Sequence, residues 1–149
     1  MNTESLQPKL ALSLLFLRLG VGIVFVIWTL DKFVNPDHTA RVYEHFYMIP
    51  WLTENGAYVV GVFQGLLVAA FLSGFMKTYS YLAVFALHAV STLTPMANYF
   101  SPWEGANILF FAAWPMLAAA WALWVLRDYD TLFNLDAARV VAAEPEPAS

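Results

Sequence analysis

The chain has 149 residues, 60% of them hydrophobic and only 12% charged, with a formal net charge of −4 at pH 7. That charged fraction is about half of what a soluble globular domain carries, and the absence of a basic patch argues against a nucleic-acid partner. With no cysteine, a disulfide framework, a thiol relay and a thiolate-held metal centre are all excluded.

Four apolar segments follow one another, about 10–30, 56–75, 79–98 and 104–126. Each approaches the roughly 20 residues that a helix needs to cross a hydrocarbon core about 30 Å thick. The expected fold class is an all-α membrane protein: a four-transmembrane-helix antiparallel bundle with a short interfacial amphipathic helix between its first two helices. The first segment is too long for a signal core and is followed by Asp31, Lys32 and Phe33 rather than a small-residue cleavage pattern, so it reads as a retained membrane helix. Within it stands Arg18, about 12–15 Å from the helix start. A guanidinium at that depth costs several kcal/mol, so it faces the bundle interior or snorkels toward the inner headgroups. One reading makes it an anchor for a quinone headgroup, an anion or a buried carboxylate; the other makes it an organiser of packing.

The long connection is 31–55. Val42, Phe46 and Ile49 recur there at helical spacing against polar His38, Arg41, Glu44 and His45. Asp37 after Pro36 marks a start, and Pro50 a stop. Tyr43, Tyr47, Met48 and Trp51 belong at headgroup level, so a short helix is expected to lie on the membrane as a cap over the bundle. Lys32 with Glu54, Asn98, Glu104 and Asn107 would form either a site at the outer mouth or simply a solvated boundary.

The second and third apolar segments carry Gln64 and His88 at similar depth, so an interhelical hydrogen bond between them is expected. His88 is also a candidate ligand or proton site, since histidine titrates near neutral pH. No second intramembrane histidine completes an axial haem pair, and His38, Glu44 and His45 lack the His-Glu-x-x-His order of a zinc site. Gly61 and Gly65 form a small-xxx-small face for close helix approach, and Pro115 is expected to kink the fourth helix. Lys9, Lys77, Arg127 and Arg139 outnumber Lys32 and Arg41 on the other side, which places both termini in the cytoplasm. Residues 1–136 are expected to form the membrane domain, and the acidic, proline-containing 137–149 a mobile tail.

The stretch Leu17-Arg18-Leu19-Gly20, then Phe25, Asp31-Lys32-Phe33 and Pro36, resembles the opening of the DoxX family. Gly61-Val62-Phe63-Gln64-Gly65-Leu66-Leu67 is similar to that family's Gly-x-x-Glu-x-x-Gly segment, and Asn107 to Leu109 and Leu135-Asp136 add to the likeness over 12–136. Gln64 stands where an acidic residue is usual, and the glycine usual before the lysine is replaced around Thr29 to Asp31. The resemblance implies a multi-pass protein of the bacterial inner (cytoplasmic) membrane. It further implies a small subunit of a quinone-linked respiratory or sulfur-oxidising redox complex, without catalytic machinery or a covalently bound cofactor of its own. Arg18, Lys32 and Gln64 are the inherited positions; His88 joins them, by its depth, as a candidate quinone contact. Its partners would be the lipid bilayer and either other membrane subunits or further copies of itself. The competing classes are a structural assembly subunit filling a seam in a larger complex, and an oligomeric small-solute transporter or membrane-maintenance protein.

Overall fold

A computed structural model describes residues 3–136, with side chains from Leu6 onward; the tail expected at 137–149, with Arg139, lies outside the described residues. The described residues form helices joined by turns: α1 Thr3–Val34, α2 Pro36–Tyr47, α3 Glu54–Leu72, α4 Lys77–Leu93, the four-residue α5 Met96–Tyr99, a 3-10 stretch Asn107–Ala112 running into α6 Ala113–Val125, and a last 3-10 turn Arg127–Tyr129.

Among the described residues, three helices are long and apolar enough to cross a membrane: Leu6–Val34, Glu54–Leu72 and Asn107–Val125. The expected four-transmembrane-helix bundle is thereby corrected to three such helices with shorter ones around them. The cause lies in the apolar run 79–98. Its helix ends at Leu93 and Pro95, which has no N–H to continue the ladder, opens the separate α5. The 17 residues of α4 span only about 25 Å at 1.5 Å each. The segment read as 104–126 also differs from expectation, because its first turns are 3-10. Pro115 leaves the Phe111 carbonyl without its helical donor, and the change to α-helix falls just before it.

Side-chain exposure is inverted relative to a water-soluble protein. Phe16, Ile23, Phe63 and Leu66 are each more than 60% exposed, whereas Arg18, His88, Thr92 and Asp130 are buried. A hydrocarbon solvent accounts for both halves of that pattern. α1 lies along α3, and α4 along α6, around a core of Leu14, Val21, Phe25, Val68, Phe71, Tyr81, Val84 and Leu123. Close approach of α1 and α3 depends on Gly61: a Cβ there would sit 2.9 Å from the Phe33 ring and 3.1 Å from Lys32 Cβ.

Between α3 and α4 the chain reverses through Gly74 (φ 63°) and Met76 (φ 49°). The first turn of α4 then needs acceptors for its free N–H groups, and the Asp136 carboxylate supplies them, accepting from Met76 N and Lys77 N at 2.9 Å each. Leu135 N also donates to Ser73 O (2.9 Å). The segment after α6 is thus tied across the α3–α4 turn as a strap.

Candidate functional site

At the end of the bundle away from that turn, α1, α2, α4 and the 3-10 stretch leading into α6 enclose a cavity of about 510 Å³. The size matches pockets that hold drug-sized ligands. Its walls are mostly aromatic and aliphatic: Phe25, Trp28, Tyr43, Phe46, Phe110 and Met116 are typical. Polar groups also enter it, among them Asp31, Lys32, His38, Gln64, His88 and Ser91, and three of these, Lys32, Gln64 and His88, are brought together from α1, α3 and α4.

Lys32 is buried, and its Nζ donates to Trp28 O, one turn back on its own helix, at 3.0 Å. An ammonium has three N–H donors, and among the described residues no carboxylate lies within 4.0 Å of this one. Neighbouring Asp31 is engaged elsewhere, with Asn35 and His38. Gln64 is half-buried, and its amide hydrogen-bonds to no described residue.

His88 is held more firmly, and not by Gln64 as expected. Its Nε2 lies 3.0 Å from the Ala113 carbonyl. A carbonyl only accepts, so Nε2 carries the proton, and in the neutral ring Nδ1 keeps a lone pair, 3.4 Å from Ser91 Oγ. The ring rests against Trp28 and Phe25, with centroids 5.8 and 6.2 Å away. Burial pushes the Tyr43 and Tyr47 phenols on α2 above their ordinary range, so both stay neutral at the cavity wall.

Arg18 lies elsewhere, in a buried network at the strap. Its Nη1 is 3.2 Å from both Asp130 Oδ2 and the Tyr81 hydroxyl, and its Nη2 donates to the carbonyls of Leu132 (2.6 Å) and Phe133 (3.1 Å). Tyr81 in turn donates to Asp130 Oδ2 at 2.6 Å. Lys77 Nζ closes the cluster on the carbonyls of Arg127 and Asp130. Only Arg18 Nε and Asp130 Oδ1 lack a partner there among the described residues. The site imagined at the outer mouth is not assembled. Asn98 donates to Asn107 (2.7 Å), and neither they nor Glu54 nor Glu104 line the cavity with Lys32. Among the described residues no group of His, Asp and Glu is placed to hold a metal ion.

The family model described as "Methylamine utilisation protein MauE" matches residues 10–101, more than half of the chain. The chain belongs to the MauE family. MauE is a distant relative within the DoxX superfamily, so the DoxX-like resemblance holds at that general level and not for a specific DoxX subfamily. No curated protein and no solved structure matches. The MauE match takes in Lys32, Gln64 and His88, and also Arg18 and Tyr81, but stops before Asp130 and the strap. Tyr81 and Asp130 were not singled out from the sequence, and Asp136 entered only through the Leu135-Asp136 likeness. A signal existed, because a buried arginine demands a carboxylate and Asp130 follows the last apolar helix. Nothing local to either residue pairs them, however.

Proposed function

We propose that this MauE-family protein is a small membrane accessory subunit that holds a quinone in the cavity between α1, α2, α4 and α6, beside a redox partner in the same membrane. The observation that carries the reading is the buried Lys32 ammonium, which faces a largely aromatic and aliphatic cavity, has no carboxylate within 4.0 Å among the described residues, and neighbours an Asp31 already engaged by Asn35 and His38. A buried polar group with unused hydrogen-bonding capacity calls for a ligand to complete it. A quinone offers a flat ring to Trp28 and Phe25 and acceptor-only carbonyl oxygens to Lys32 Nζ and the Gln64 amide. When bound it would supply the electron-carrying chemistry; the chain's own residues orient its head and keep water away. The family's name refers to methylamine; the Asp31 carboxylate also lines this cavity but is engaged by Asn35 and His38, and a methylammonium ion there would meet the like charge of Lys32. A supporting role beside the amine-using machinery fits the chemistry better than amine binding.

In this reading the α3–α4 turn and the strap face the cytoplasm. Lys77 and Arg127 meet at that end, and Lys32 is buried in the cavity and drops out of the opposite count. The test is purification of the tagged protein from its native membrane in mild detergent, with absorbance spectra and mass spectrometry of what accompanies it. Bound quinone and haem- or flavin-bearing subunits are expected. A colourless protein without quinone or stable partners would overturn the reading.

A further inference from the structure

One wall of the cavity is unlike the others. It is formed by α2, which contributes Thr39, Val42, Tyr43, Phe46 and Tyr47, and α2 is only 12 residues long with Thr39 as its single buried residue. Both of its ends are breaks in the helical path. Asn35 before it is non-helical (φ −132°, ψ 63°), and Met48 after it sits in the left-handed region (φ 55°, ψ 40°), a conformation that strains a side chain larger than glycine.

The polar tie of α2 to α1 converges on a single carboxylate. Asp31 Oδ2 pairs with His38 Nδ1 at 2.7 Å, and Asp31 Oδ1 accepts from Asn35 Nδ2 at 3.1 Å. Neither side is sealed from solvent, with His38 55% and Asp31 29% exposed. On the opposite side of α2, Phe46 meets Phe110 edge to face at 5.9 Å, a contact across the cavity rim.

Resting on the reading of the cavity as a ligand site, we propose that α2 is a hinged lid over it, latched to α1 through Asp31, and that release of the latch opens the cavity. A part-exposed polar pair of this kind is weak, which suits a fastening that must come undone. Elements that move to admit ligands come from the least buried parts of a fold, with hinges at their ends. Asn35 and Met48 are those ends.

The cysteine-free sequence gives a clean test. Ser91 lines the cavity and is half-buried, so Ser91→Cys reports on access from outside, read as its rate of reaction with a water-soluble methanethiosulfonate in detergent. Asn35→Ala with His38→Ala removes both donors to Asp31 without touching α4. The expected result is a rise of roughly fivefold in the Ser91→Cys rate, the order set by losing one part-exposed polar contact. A Glu44→Cys reporter on the outer face of α2 should keep its rate. An unchanged rate at Ser91→Cys overturns the lid, and so does an equal rise at both reporters, which signals general loosening. Should the double variant fail to purify folded, Asn35→Ala alone must move the rate in the same direction. Decylubiquinone binding to the unaltered protein is measured in parallel. Latch-dependent access without binding removes the quinone and keeps the lid; binding with latch-independent access does the reverse.

Discussion

Arg18 and Lys32 are both buried cations on α1, about four turns apart, and their surroundings are opposite. Arg18 is met by a carboxylate, a phenol and two strap carbonyls. Lys32 is met by one carbonyl of its own helix and an apolar cavity. The same cost of desolvation is answered at one end by protein and at the other only in part. A network met almost entirely by protein, with Arg18 Nε and Asp130 Oδ1 left over among the described residues, makes structure rigid, whereas an ammonium with one carbonyl acceptor beside an open cavity marks a place where something else binds. The glycines do not follow that division, since Gly61 is crowded by Phe33 and Lys32 at the other end. Gly74 is crowded by the Arg18 network, while a Cβ added at Gly20, on the outer face of α1 between the two cations, would meet nothing within 4 Å.

The sharpest way to break the comparison is Arg18→Met. It would strand Asp130, which is fully buried, and is expected to cost about 3–5 kcal/mol, read as a large fall in thermal unfolding temperature in detergent. Adding Asp130→Leu should recover most of that loss, because a pair replaced by apolar side chains leaves no lone buried charge. An Arg18→Met protein that melts with the parent would show the network to be dispensable. Gly74→Ala should come next, at about 2–3 kcal/mol, from left-handed strain and overpacking together. Its Cβ would lie 2.3 Å from Asn134 Cβ and 2.7 Å from Arg18 Nη1.

Lys32→Met should behave in the opposite sense. With no carboxylate to strand, removing the charge is expected to leave stability unchanged or raise it by up to about 1 kcal/mol, while weakening decylubiquinone binding about tenfold, or 1.4 kcal/mol. Titration of quinone against tryptophan fluorescence, beside the melting curve, reads both. A Lys32→Met protein as unstable as Arg18→Met would make Lys32 a structural residue and remove the contrast.

The membrane character, the amphipathic α2 and the oddity of Arg18 are legible in the letters because hydropathy and the cost of buried charge are local quantities. That the described residues hold three membrane-length helices and not four is not legible there. Residues 79–98 are apolar by composition, but Pro95 divides them, and a hydropathy window averages across that break. The gathering of Lys32, Gln64 and His88 around one cavity rests on the α1–α3 approach at Gly61, where the spacing of small residues shows that helices come close without naming the partner. The carboxylate for Arg18 was foreseeable as a type and invisible as Asp130, since the strap reaches it only after the whole bundle has closed. His88 finds Ala113 for a similar reason, its partner being a backbone carbonyl near the Pro115 irregularity, a kind of acceptor that every residue carries.

The smallest expected effect bears on what covers the outside of α1. Gly20→Ala places a methyl in open space on an exposed helical surface, and alanine exceeds glycine in helix interiors by about 0.5–1 kcal/mol. The isolated protein should therefore melt slightly higher, by an amount far below the loss at Gly74. If lipid covers this face, material purified from the native membrane should keep the same companions as the parent. A partner helix packed at Gly20 would instead be pushed away by the new methyl, and the variant would purify stable but alone. Gel filtration in mild detergent separates the two, and the second outcome would extend the division between the cations to the outer surface, with α1 holding its own fold at Arg18, a ligand at Lys32 and another subunit between them.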